Sequence, residues 1–120
     1  MQDFKKSGVW EKAHLLTIST YRITSSFPRT EIYSLTSQIR RACTSIPSNI
    51  AEGCGRKGPR EMSRFLQIGF GSACEMEYQL LLAHDLKFLK ETDYKDLNEK
   101  VCEVKKMLTS LIQKVLKTDN

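Results

Sequence analysis

The chain has 120 residues, a mass of 13.8 kDa and a formal charge of +5, from 19 Lys and Arg against 14 Asp and Glu. That length suits one domain with one core, and 40% hydrophobic with 28% charged residues excludes disordered and collagen-like polymers. The longest uninterrupted apolar stretch, Leu80 to Ala83, falls far short of the ~20 residues that a bilayer span needs. Asp3, Lys5 and Lys6 have no apolar block behind them, so a secretory leader is not expected and a cytoplasmic location is.

Val9, Ala13, Leu16, Thr20, Ile23 and Phe27 recur at steps of four and three, which predicts a helix over 8–27 that Pro28 stops. Thr30 reads as the N-cap of a second helix over 30–53, with Glu31 favourable near the positive end of the dipole and an apolar stripe of Leu35, Ile39, Ala42, Ile46 and Ile50. Pro47 lies inside this stripe and removes the donor to the carbonyl of Cys43, so a kink is expected rather than a break. Gly53, Gly55 and Gly58 end the pattern, Gly53 fitting the left-handed position that closes many helices.

Pro59 suits the first position of a third helix over 59–90, whose stripe is Met62, Phe65, Leu66, Gly69, Ala73, Met76, Leu80, Ala83 and Leu86. Gly69 and Gly71 each cost a helix ~1 kcal/mol and so point to a close approach of another backbone. Thr92 or Asp93 caps a fourth helix over 93–117, with Tyr94, Leu97, Val101, Val104, Leu108, Leu111 and Val115 inward.

No strand pattern competes, and short turns between four long helices predict an all-α, up-down-up-down antiparallel four-helix bundle in a single domain, a rod roughly 30–45 Å long. Trp10, Leu15, Ile18 and Tyr21 on the first helix and Leu81, Leu82, Phe88 and Leu89 on the third lie off the main stripes. They form a second apolar face, read here as a subunit interface in preference to a widened core.

Catalytic motifs are weak. Gly53-Cys54-Gly55-Arg56-Lys57-Gly58 spells the dinucleotide pattern G-x-G-x-x-G, yet a helix stands where that fingerprint needs a strand, so it reads as a helix-ending turn. Free amides beside Arg56, Lys57 and Arg60 leave open a phosphate contact there without a cofactor fold. Glu11-x-x-His14 has di-iron spacing but lacks its second pair, and Cys43, Cys54, Cys74 and Cys102 form no C-x-x-C. No enzyme activity, cofactor or metal is expected, and the cysteines read as small, mostly buried thiols of a reducing compartment. Ser45, Asn49 and Glu52, beside the second stripe, read as groups that catch the carbonyl freed near Pro47, with a binding role as the alternative.

Charge placement says more. Ten basic and four acidic residues precede position 61, whereas nine and ten follow it. In an up-down bundle Lys5, Lys6, Arg56, Lys57, Arg60, Arg64, Lys114 and Lys117 converge at one end, opposed by Asp3, Glu52, Glu61 and Asp119. The candidate phosphate contacts are Arg40, Arg41, Arg56, Lys57, Arg60 and Arg64, Arg40 and Arg41 either extending the patch or pairing with a neighbouring helix.

The segments Gln38-Ile39-Arg40-Arg41-Ala42, Ser45-Ile46-Pro47-Ser48-Asn49-Ile50-Ala51-Glu52-Gly53, Phe65-Leu66 and Gly71-Ser72-Ala73-Cys74-Glu75 resemble the 23S rRNA intervening-sequence protein family. Trp10, Ala13, Tyr21 and Phe27-Pro28 fit the same pattern, so the resemblance spans nearly the whole chain. It implies a small bacterial four-helix protein without enzyme activity, assembled as a ring-shaped homopentamer. A related branch serves diversity-generating retroelements by binding nucleic acid and a reverse transcriptase. Together with the charge, this leads us to expect a noncatalytic oligomer that binds RNA or DNA backbone, its assembly multiplying weak phosphate contacts. A protein-binding scaffold without a nucleic-acid role is the alternative.

Overall fold

Four amphipathic helices account for nearly all of the burial in this chain, and each begins or ends where its inward stripe runs out. A computed structural model describes residues 2–118. Its helices are α1 (Gly8–Thr24), α2 (Leu35–Cys54), α3 (Pro59–Asp85) and α4 (Glu91–Lys117), with single 3-10 turns at Phe4–Lys6 and Arg29–Glu31 and no strand among the described residues. α1 packs on α2 and α4, and α3 packs on the same two helices, which gives a four-helix bundle 48 Å long and about 20 Å across.

The core is the expected one at most positions. Val9, Ala13, Leu16, Leu35, Ile39, Ala42, Ile46, Ile50, Met62, Leu66, Ala73, Met76, Leu80, Ala83, Leu97, Val101, Val104, Leu108 and Val115 are buried. Thr20 is buried too, and its hydroxyl donates to the Leu16 carbonyl one turn back at 2.7 Å, which removes the cost of enclosing it.

Several boundaries differ from those expected. α1 ends at Thr24, and Phe27 enters the core from the turn, its ring 6.1 Å from that of Phe88. α2 begins at Leu35 rather than Thr30, because Ile32 and Tyr33, the latter 94% exposed, give a helix over 30–34 nothing to bury. Thr30 is therefore inside the 3-10 turn and caps nothing, whereas Glu31 does reach the α2 start, its carboxylate accepting from the Leu35 N–H at 3.4 Å.

α3 ends at Asp85, five residues early. The amide of Phe88 donates to the Ala83 carbonyl and that of Lys87 to His84, the paired bonds of a Schellman ending, with Lys87 in the left-handed position at φ 66°. Leu89, expected on an outer face, is consequently buried in the core, and Leu82 and Phe88 pack half-buried against it. α4 starts at Glu91, ahead of Thr92 and Asp93.

The α2–α3 region also departs from expectation at its glycines. Gly53 is inside α2 and buried. Gly58 instead adopts the positive φ, 84°, that turns the chain into Pro59. A Cβ on Gly53 would lie 3.2 Å from the Met62 carbonyl oxygen, so this glycine sets how closely α3 approaches. Gly69 meets the Ile46 carbonyl oxygen in the same way at 3.5 Å, while Gly71 faces open space.

α2 continues without a break through Pro47. The orphaned Cys43 carbonyl is taken from across the interface by the Thr17 hydroxyl of α1, at 3.1 Å, not by Ser45, Asn49 or Glu52. Asn49 instead donates to the Ser45 carbonyl and hydroxyl at 2.8 and 2.9 Å, and Ser45 meets Ser72 of α3 at 2.7 Å, a polar seam beside the glycine contacts.

Candidate nucleic-acid interface

One end of the bundle gathers the chain start, the 55–58 turn and the last turns of α4. The Gln2 amide donates to the Cys54 carbonyl at 3.0 Å, and Gln2, Arg56, Pro59, Met62 and Lys114 line an open cleft of about 380 Å³. Lys5, Lys6, Arg56, Lys57, Arg60, Arg64, Lys114 and Lys117 belong to these segments or to the first two turns of α3, against Asp3, Glu52 and Glu61 from the described residues of the same end. Asp119, also expected here, lies outside them.

The cations of this end are not equivalent. Arg56 pairs with Glu52 at 3.3 Å, one turn apart at the end of α2. Arg64 uses Nε and a terminal nitrogen on the two Glu61 oxygens at 3.1 and 3.4 Å, which lowers the Glu61 pKa and raises that of Arg64. Both guanidiniums lie over the ring of Phe65, with Cζ 4.7 Å (Arg56) and 4.5 Å (Arg64) from its centroid. Lys57 and Arg60, exposed in the turn and the first turn of α3, make no ion pair among the described residues. No carboxylate among the described residues offsets either of them.

Arg40 and Arg41 are elsewhere. About fifteen residues of helix separate them from Arg56, ~22 Å at 1.5 Å per residue. Arg40 closes the end of α1: its Nε donates to the Thr24 hydroxyl at 3.0 Å, a terminal nitrogen donates to the Tyr21 carbonyl at 3.3 Å, and its plane lies over the Tyr21 ring. Arg41 is exposed. The six candidate contacts thus divide into a cluster of four at one end and two cations toward the other, one of which is already engaged.

The histidines, cysteines and carboxylates away from this end form no site of their own, and the Thr36 hydroxyl and the Gln79 side-chain oxygen are buried without a hydrogen-bond partner among the described residues. The His14 ring stacks on Trp10 at 4.8 Å, apart from any metal set, and no three His, Cys, Asp or Glu converge on a cation position among the described residues. Burial pushes the Cys43 thiol up to about 11 despite hydrogen bonds from neighbouring threonines, so it is an unreactive thiol at neutral pH. Glu77 joins Lys105 at 2.6 Å and Cys102 at 3.6 Å across α3 and α4, and the Lys105 contact lowers the carboxyl pKa. No helix among the described residues is long and apolar enough to cross a membrane.

Sequence reasoning placed Arg56, Lys57, Arg60 and Arg64 together but treated Phe65 as core. Its ring is half-buried and carries two guanidiniums, an arrangement for which the adjacency of Arg64 and Phe65 was the one available signal.

An all-helical bundle with a cationic end defines the class of this molecule. The family model of the 23S rRNA-intervening sequence protein matches residues 5–110, and the chain belongs to that family. A crystal structure of a protein with unknown function from the S23 ribosomal protein family of Bacteroides thetaiotaomicron VPI-5482 is similar, with 25% identity and a TM-score of 0.79. The match covers 87% of this chain and 97% of that one. No curated protein matches the chain.

Proposed function

We propose that this protein is a noncatalytic, oligomeric accessory protein that binds the backbone of RNA or DNA. The observation that carries the proposal is the clustering of Arg56, Lys57, Arg60 and Arg64 within nine residues at one end of the bundle, two of them without a carboxylate partner among the described residues. Lys57 and Arg60 are the main phosphate contacts, Arg56 and Arg64 flank them, and Arg41 is a separate exposed cation along α2. Arg40, held by Tyr21 and Thr24, contributes through the field of the surface and not by direct contact.

The helices run up-down-up-down, a topology supported by Gln2, the 55–58 turn and Lys114 sharing one cleft while Phe27 and Phe88 meet in the two other turns. Subunits assemble into a ring-shaped homopentamer in a bacterial cytoplasm, as the family resemblance implies. Exposed Leu15, Ile18 and Tyr21 on α1 and Tyr78 and Leu81 on α3 supply apolar surface for the contacts. Five copies of a +5 chain turn individually weak phosphate contacts into useful avidity.

Filter binding of the purified protein to structured RNA, single-stranded RNA and duplex DNA at low ionic strength tests the proposal. Retention that falls with added salt is expected, and no retention of any of the three would retire it. The same exposed apolar residues favour a second reading, a scaffold for a partner enzyme such as a reverse transcriptase. Recovery of a protein partner after nuclease treatment, with no direct nucleic-acid binding, would select that reading.

A further inference from the structure

We propose that Arg56, Phe65 and Arg64 form a stacking platform for an unpaired nucleobase, so that the cationic end takes single-stranded nucleic acid in preference to duplex. This inference rests on the nucleic-acid reading above and adds the class of ligand to it.

A guanidinium recognises phosphate through the N–H donors on its edge and an aromatic base through its flat face. Arg64 has directed edge donors to both oxygens of Glu61, and Arg56 is held in an ion pair with Glu52 at 3.3 Å. Those carboxylates offset the cationic charge locally and repel an incoming phosphate, which makes these two arginines the poorer phosphate ligands of the cluster. Their planes, held by the carboxylate contacts and by the Phe65 ring at 4.7 and 4.5 Å, remain at the surface, where both side chains are about half exposed.

The aromatic between them has a fixed root. Phe65 Cβ would lie 3.3 Å from a Cβ on Gly53, so the end of α2 and the second turn of α3 are in close approach at this residue. The ring is half-buried and held, while the guanidiniums that extend it are exposed. Lys57 and Arg60 complete the arrangement with exposed charges that lack an ion-pair partner among the described residues. Phosphates are therefore drawn to Lys57 and Arg60 while a neighbouring base meets the arginine–aromatic surface. Stacking on such surfaces tolerates any base, because every base has a π-face. In a duplex those faces are already stacked on each other and cannot be used.

A twelve-nucleotide strand carrying 2-aminopurine, made as RNA and as DNA, and the matching DNA duplex are titrated with the full-length protein at low salt. Single strands should bind about tenfold tighter than the duplex, with 2-aminopurine fluorescence quenched on binding. Quenching of either strand supports the platform, and the tighter of the two identifies RNA or DNA as the preferred form. The double variant Arg56→Lys, Arg64→Lys retains the charge and removes both planar cations. It should lose the quenching and the single-strand preference while keeping the salt dependence of binding, and its circular dichroism should match that of the unaltered protein. Salt-dependent binding with duplex and single strand equal, or quenching unchanged in the lysine variant, would overturn the platform and leave the backbone-binding reading standing. Failure to bind any oligonucleotide would overturn both.

Discussion

Replacing Thr17 with Val should destabilise the bundle only as long as Pro47 is present. Pro47 has no N–H, so the Cys43 carbonyl, buried in α2, lacks its ordinary intrahelical donor and is reached by the Thr17 hydroxyl at 3.1 Å. The same hydroxyl is 2.8 Å from the Ala13 carbonyl of its own helix, so one proton serves two acceptors. Ala13 also has a helical N–H partner and loses little when the hydroxyl goes, whereas the Cys43 carbonyl is left alone. A buried acceptor without a partner costs ~1–3 kcal/mol, and a shared proton places Thr17→Val near the lower end, about 1 kcal/mol. That corresponds to roughly 4 °C in Tm for a chain of this size. In a Pro47→Ala background the amide restored at that position can serve the Cys43 carbonyl, and Thr17→Val should then cost about 0.3 kcal/mol or less. Chemical denaturation of the four proteins at one fixed protomer concentration gives the coupling as a double-mutant cycle. Equal costs in the two backgrounds would refute the cross-helix cap.

The glycine contacts predict substitutions of opposite sign. Gly53→Ala should destabilise by about 1–2 kcal/mol, because a Cβ 3.2 Å from the Met62 carbonyl and 3.3 Å from Phe65 outweighs the gain in helix propensity, while Gly71→Ala, facing open space within α3, should stabilise by ~0.5–1 kcal/mol in the same denaturation assay. Lys87→Gly should raise Tm, its left-handed backbone at φ 66° costing a side-chain-bearing residue about 1 kcal/mol relative to glycine; a lower Tm would count against the Schellman ending. His84 has Glu91 on Nε2 and Asp85 on Nδ1 at 3.3 Å, with Tyr94 stacked on the ring, and the Glu91 hydrogen bond followed by that of Asp85 raises its pKa above the ordinary 6.5. A raised folded pKa adds stability that is fully present below the unfolded value and is lost as pH rises through the folded one. The Tm advantage over His84→Gln should therefore be larger at pH 6 than at pH 9, and to a lesser degree at high salt because the groups are exposed; an advantage independent of pH would contradict it.

The inward stripes were legible because a helix must bury one face and the 3-4 spacing of Leu97, Val101, Val104, Leu108 and Val115 permits no other periodicity. Ends were legible where special backbone residues mark them, as Gly58 and Pro59 do at the start of α3. They were not where ordinary residues do that work: Lys87 occupies a position that usually announces itself as glycine, and the 29–34 segment fails to become helix for want of burial, a tertiary cause. Pro47 announced an orphaned carbonyl, but its partner is 26 residues away on α1, beyond any local pattern. The same limit applies to the site. Proximity in sequence grouped Arg56, Lys57, Arg60 and Arg64, and the pairs of Arg56 with Glu52 and of Arg64 with Glu61 are helix spacings of four and three, whereas the meeting of both guanidiniums on Phe65 and the removal of Arg40 to the end of α1 depend on how side chains meet in space.

The central claim is that unpaired cations at one end of the bundle hold a polyanion. Its most direct test is the slope of log Kd against log salt for a fluorescein-labelled single strand, followed by anisotropy, for the unaltered protein and for the Lys57→Ala, Arg60→Ala double variant. Loss of two phosphate contacts per subunit should weaken binding and reduce the slope by about 0.7 for each contact removed from a single strand. An unchanged slope and affinity in the double variant, or binding indifferent to salt in the parent, would contradict it.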